Sequence, residues 1–297
     1  MDLITESLGI MMYRDEEKPW RPLNDGYSNF WFELTDDTLS PWLNFSAKNN
    51  DAVIDWGDGS GEVALDTLTP THTYEKAGRY IVKVKGVTGI DRLYRPPYTD
   101  YCNIIRHVEL SSEVTSLISY TFLMCNKIEN FVIHSQSYSV GAGCFQVCTS
   151  LENIDLTNAT VIPNNVCSNC SNIKSVFLPC VASIGEGGFY YCSSLAKITI
   201  PSSVTSIGTN AFILVHSLSE IHCQATTPPT LNGNVFSNLP SNYVIYVPVG
   251  YGDTYKAASG WSTYADHITE DGSQLSVSQL RNIELENSKK SDDGDMR

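Results

Sequence analysis

Nine cysteines and six histidines supply most of the chemistry this 297-residue chain could perform. Cys167-Ser168-Asn169-Cys170 has the C-x-x-C spacing at which two thiols can reach one zinc ion or close a redox disulfide. A metal reading needs a second such pair or two suitably spaced histidines, and the sequence has neither. Asp55 and Asp58 flank a glycine, and carboxylates three apart can converge on a hard cation such as calcium. The same two side chains could instead cap the turn through bonds to backbone N–H groups, which is the expected role in so Gly-rich a run. His72, His107, His134, His216, His222 and His267 lie in no nucleophile, Walker or H-E-x-x-H context. No catalytic residue, no metal site and no cofactor is expected. His107, His134 and His222 flank apolar strand columns, as exposed groups on a sheet face would.

The cysteines belong to a longer rhythm. Phe122, Phe145, Cys167, Phe189 and Phe212 follow one another at steps of 23, 22, 22 and 23. Three residues on stand Cys125, Cys148, Cys170, Cys192 and Val215, and three further Ile128, Leu151, Ile173, Leu195 and Leu218. The shared F-x-x-C-x-x-L places Cys125, Cys148, Cys170 and Cys192 in a buried ladder, where a thiol behaves as a small hydrophobe. Neighbouring coils bring their Cα atoms within nominal disulfide range, but parallel Cβ vectors disfavour closure. Before each coil an i, i+2 apolar pair, such as Val108 with Leu110 or Ile198 with Ile200, marks one face of a short strand. A coil of 22 or 23 residues cannot bury its apolar face alone, so the coils must stack, with parallel strands about 4.8 Å apart. Ser183-Ile184-Gly185 and Ser206-Ile207-Gly208 mark the turn between strand and ring.

This pattern resembles the leucine-rich repeats of BspA-like, Bacteroidetes-type proteins, and the resemblance covers residues 104 to about 268. Ile221 to Pro229, then Tyr246-Val247-Pro248 and Tyr255 to Trp261, look like the terminal segment of that family, which caps the open end of the solenoid. Cys167 in place of an aromatic, and an irregular turn from Ser135 to Gly143, depart from the pattern. Upstream, Trp56-Gly57-Asp58-Gly59-Ser60, His72-Thr73-Tyr74 and Gly78-Arg79-Tyr80-Ile81-Val82-Lys83-Val84 are similar to the PKD domain, an Ig-like β-sandwich that the resemblance implies is a spacer or presentation module. In the last strand Tyr80, Val82 and Val84 should face inward.

The expected organisation is mainly β. Residues 1–28 form an arm that either attaches the protein to a larger body or is disordered, 29–88 a PKD-like sandwich, and 89–103 a linker or cap. Residues 104–223 form a leucine-rich-repeat solenoid of about six coils, 224–270 its C-terminal cap, and 271–297 a polar tail. With 33 acidic against 19 basic residues and a net charge of -14, the chain has no surplus cations for a nucleic-acid backbone. No run of 18 apolar residues could cross a membrane as a helix.

Between 104 and 223 only 11 of 120 residues are charged, so recognition there would use neutral hydrogen bonds and aromatic contacts rather than charge steering. Tyr138, Tyr190 and Tyr191 could form such a surface, or merely shield coil edges. The expected role is non-enzymatic. The first setting is a bacteriophage virion, as tail, fibre or capsid decoration, suggested by Bacteroidetes-type repeats, Met1 and the lack of a secretion leader. The alternative is a bacterial cell-surface or secreted adhesin whose leader is absent from the sequence. Partners would be other virion proteins, a host-surface protein or a glycan, and a homo-oligomer is left open.

Overall fold

The computed structural model describes residues 23, 25–35, 40–93 and 101–271. The expected arm, tail and Arg95-Pro96-Pro97 linker therefore lie largely outside the described residues. Among the described residues the first four strands are β1 (Ser28–Leu34), β2 (Phe45–Asp55), β3 (Glu62–Ala64) and β4 (Gly78–Ile90). Alternation sets their faces, with Phe30, Phe32 and Leu34 buried while Trp31 and Glu33 point outward. Val82 and Val84 are buried as expected; Tyr80 is half-buried and packs its ring 4.2 Å from that of Tyr74.

Beyond Ile104 the chain winds. A main ladder stacks β5 (Ile105–Leu110), β7 (Asn130–Ile133), β9 (Asn153–Asp155), β11 (Ser175–Phe177), β13 (Lys197–Ile200), β15 (Glu220–Cys223), β17 (Val244–Pro248) and β18 (Ile268–Asp271), hydrogen-bonded as strands in three stretches, β5-β7, β9-β11 and β13-β15-β17-β18. A second, two-residue strand follows in each coil: β6 (Ser116–Leu117), β8 (Ser139–Val140), β10 (Val161–Ile162), β12 (Ser183–Ile184), β14 (Ser206–Ile207) and β16 (Thr230–Leu231). All pairings within the solenoid are parallel, and equivalent residues meet, as in Ile198 with Ile221 and Ile221 with Ile245. Gly208 lies where a Cβ would stand 2.4 Å from the Glu186 backbone N, and at Gly185 one would stand 2.7 Å from that of Asn164. The Ser-Ile-Gly signal is thus a place where successive coils touch backbone to backbone.

The N-terminal segment differs from the expected free-standing sandwich. Among the described residues its strands form one sheet, β3-β2-β4-β1, which continues directly into β5 and β7. β1 is antiparallel to both β4 and β5, and β4 runs past residue 88 to pair with β6. A short ribbon, in which Leu43 N donates to Pro70 O and Phe45 N to Leu68 O, accompanies it. His72 to Tyr74 form no strand, with only the isolated Trp42–Thr71 bridge before them, and their side chains serve the neighbouring turn described below. Continuity has a physical reason. Without β1, the first solenoid strand would present an open row of N–H and C=O groups.

Inside, the rings stack at the coil spacing. Phe122 and Phe145 lie 5.4 Å apart, Phe189 and Phe212 5.5 Å, and Phe212 and Phe236 5.6 Å. Cys167 interrupts the stack between Phe145 and Phe189. Two residues in each turn take left-handed backbone, one column running Tyr120, Gly143, Asn165, Gly187, Asn210 and Gly233. The other includes Val147 (φ 62°) and Tyr191 (φ 56°), residues for which that conformation is strained.

Candidate binding surface

The cysteine column is interior. Cys125, Cys148, Cys167, Cys170 and Cys192 are all fully buried, and three of them do more than fill space. Cys148 Sγ donates to Phe122 O (3.1 Å), Cys170 Sγ to Phe145 O (2.9 Å) and Cys192 Sγ to Cys167 O (3.1 Å). Each thiol thus gives a second donor to a carbonyl of the coil before it that already accepts a backbone N–H, which Val215 cannot do. Burial pushes Cys125, Cys148, Cys167 and Cys192 well up from the ordinary thiol range. At Cys170 burial also opposes ionisation while bonds from Cys148 and Cys167 favour it; the contact to Phe145 O needs its proton, so we read a neutral thiol there too. Of nine cysteines only Cys180 is exposed. A thiol-specific disulfide reagent should therefore titrate one thiol in the native protein and all nine after denaturation. Two or more fast-reacting native thiols would contradict the buried ladder.

Asp55 and Asp58 are engaged in their turn. Gly57 N donates to Asp55 Oδ1 (2.8 Å), Ser60 N to Asp58 Oδ1 (3.0 Å), and His72 Nε2 lies 2.7 Å from Asp58 Oδ2. Burial opposes charge on Asp58, but the bonds from Ser60 and His72 outweigh it and hold the carboxyl down at about 2. His72 stacks on Trp56 at 5.0 Å, and Tyr74 Oη donates to Trp56 O (2.7 Å). No group of three or more His, Cys, Asp or Glu side chains converges on a metal position among the described residues.

Of the three tyrosines proposed for a surface, two reach it. Tyr191 is exposed and meets His216 edge-on at 5.9 Å; Tyr190 is half-buried beside it. Tyr138 is a correction: it is 7% exposed and belongs to the core, with its hydroxyl lacking a partner. Val114, Ala159, Val181 and Val204 fill one buried column of the other coils, but this coil has exposed Ser137 there. The neighbouring tyrosine ring goes inside instead.

The outward face of the main ladder is the larger candidate. Register places Trp31 beside His107, His107 beside Asn130, and Asn153 beside Ser175, whose hydroxyl donates to Asn153 Oδ1 at 2.6 Å. One pleat on, Phe177 is half-buried, and His222 stacks on Tyr246 at 4.6 Å. The histidines are half-buried and partnered, contrary to the expectation of simple exposure: His134 Nε2 lies 2.7 Å from fully buried Glu109, and His222 Nε2 3.1 Å from Glu220. Charges on this face are largely paired, as in Lys197 with Glu220 (3.1 Å) and Lys174 with Glu152 (2.9 Å). Bonds from His222 and Lys197 hold Glu220 below the usual carboxylate range. The middle of the face therefore carries amide, hydroxyl and ring groups with one carboxylate, Asp155, in register beside Phe177 and bonded to Thr157 N at 2.8 Å. The polar positions between inward strand residues carried this signal in the sequence, but Trp31 and Tyr246 join the row only through pairing at its two ends.

The family model for the BspA type leucine rich repeat region matches six copies, over residues 100–182 and 160–251. No curated protein matches the chain. Among solved structures, the chain is similar to a leucine rich cell surface protein from Faecalibacterium prausnitzii A2-165, with 19% identity and a TM-score of 0.39. That likeness covers 72% of this chain and 57% of the other, so the chain spans little more than half of its length.

Proposed function

Because the chain belongs to the BspA-type leucine-rich repeat family, we propose that it is a non-catalytic binding protein that recognises a surface protein or glycan through the outward face of its main parallel sheet. The observation that carries this reading is the patch of Asn153, Ser175 and Phe177, held in register on β9 and β11 with the Asp155 carboxylate beside Phe177 already bonded to Thr157, and flanked by internally paired charges. Hydrogen-bonding groups that are held in place lose little freedom on binding. We place the protein at a bacterial cell surface or in the secreted space, as an adhesin; the virion setting has no structural observation to carry it and is not pursued. The segment before the solenoid we read as a PKD-like module, on the Trp56, Asp58, His72 and Tyr74 network, acting here as the solenoid's N-terminal cap.

The test is binding of the purified, labelled protein to bacterial cells, extracellular matrix proteins and immobilised glycans. Phe177→Arg is expected to weaken binding at least about tenfold, as loss of a central contact does, while Tyr191→Arg on the turn face leaves it unchanged. The reverse pattern would move the site to the turn face. Folding of both variants is checked by their melting temperatures.

A further inference from the structure

Where the N-terminal sheet meets the solenoid, His107 on β5 is enclosed from several sides. From β1, Trp31 meets its ring edge-on, 6.2 Å between centroids. From β7, Asn130 Nδ2 lies 3.1 Å from His107 Nδ1. An amide NH2 can only donate, so this contact requires Nδ1 without a proton. Arg106 on β5 and Arg79 on β4 bring two permanent positive charges, both ion-paired with Glu33 of β1. Arg106 also reaches Glu129, beside Asn130, at 3.5 Å. Behind them Glu109 is committed to His134 and to Asn29 Nδ2 (3.1 Å), and beyond Asn29 the Asp25 carboxylate holds Lys83 at 2.7 Å.

We propose that this seam is an acid-released latch: a proton on His107 removes the acceptor that Asn130 uses, adds a third positive charge beside Arg79 and Arg106, and frees β1 and its sheet from β5 while the later coils stay folded. Burial and the two arginines push the closed-state imidazole down to about 4. An opened seam takes up that proton near the ordinary imidazole value of about 6.5. The sign follows. The group's folded pKa is depressed, so its contribution to the seam is complete above about pH 6.5 and is lost as the pH falls toward about 4. Burial opposes charge on Glu33, but its bonds to Arg106 and Arg79 outweigh that and keep it low, so Glu33 remains ionised while His107 changes state. His134 lies against the Glu109 carboxylate at 2.7 Å and not beside the two arginines, so substitution at His107 is the specific test of the seam. Once released, β5 offers an unpaired strand edge able to accept another strand. The latch does not depend on what the sheet face binds.

Amide hydrogen exchange on the full chain at pH 7 and pH 5, corrected for the intrinsic pH dependence of exchange, tests it. Peptides of β1 and β5 should open about tenfold more at pH 5, with those of β13 and β15 unchanged, and His107→Gln, which cannot gain a proton, should abolish the difference. Unchanged β1 and β5 protection at pH 5, or equal loosening in His107→Gln, would overturn the latch. Where His107→Gln is already loose at pH 7, the NMR titration of His107 in the unmodified protein decides. Titration well below the ordinary imidazole range supports the latch, and titration within that range refutes it.

Discussion

Phe212→Ala is expected to lower the unfolding free energy by about 3–5 kcal/mol. Phe212 is fully buried and lies between two nearly parallel rings, Phe189 at 5.5 Å and Phe236 at 5.6 Å. Each neighbour is fixed by its own coil, so neither can move to fill the space the ring leaves, and the cavity adds to the lost transfer energy. In a solenoid each coil touches only its neighbours. The loss should therefore uncouple the C-terminal coils from those before them, as well as lower overall stability. Urea denaturation followed by tryptophan fluorescence measures this, since Trp261 lies beyond the break and Trp31 and Trp56 before it. Two transitions, or one with its midpoint sharply reduced, are the expected results. A loss under about 1 kcal/mol would mean that the ring stack does not couple the coils.

How much of this was legible in the sequence depended on whether a residue lay in a periodic column. Phe122, Cys125 and Ile128 repeat because the chain returns to the same place every 22 or 23 residues, and covalent spacing alone reveals that. Their burial followed directly. The thiol-to-carbonyl bonds did not, because a column of cysteines says nothing about which backbone carbonyl of the preceding coil each Sγ will meet. Tyr138 was misplaced for a related reason. Its own column is exposed in other coils, at Thr115, Thr160, Ala182 and Thr205, and only the polar Ser137 beside it hints that the ring must turn inward. The seam was hidden more deeply. Pairing of Trp31 with His107 joins residues far apart in the chain, and neither local propensity nor period specifies a long-range antiparallel partner. For the binding face, the sequence showed scarce charge between 104 and 223, but grouping Asn153, Ser175 and Phe177 on one face required the strand register.

Trp261→Ala should be of similar size, about 3–5 kcal/mol, yet different in where the damage falls. A solenoid has two open ends, and this one closes them by different means. β1 covers the first strand by pairing with it, whereas the last coils are covered by side chains. Trp261 is fully buried, packs 4.9 Å from Tyr255 and 5.9 Å from Phe236, and donates from Nε1 to Pro229 O at 2.7 Å. Tyr255 Oη likewise donates to Ala225 O at 2.8 Å. The tryptophan thus joins the end of the ring stack to the backbone that leads into β16. Truncation removes the largest fully buried side chain among the described residues and leaves a buried carbonyl unsatisfied. Exchange protection should be lost in β16, β17 and β18 while β5 to β9 keep theirs, because unfolding from an uncapped end spreads from neighbour to neighbour. Trp261→Phe separates the two contributions: it keeps most of the packing and loses the bond, and should cost about 1–3 kcal/mol. If Trp261→Ala instead loosened the first coils as much as the last, the end would not be held by this side chain, and the C-terminal strands themselves would have to close the solenoid as β1 does at its start.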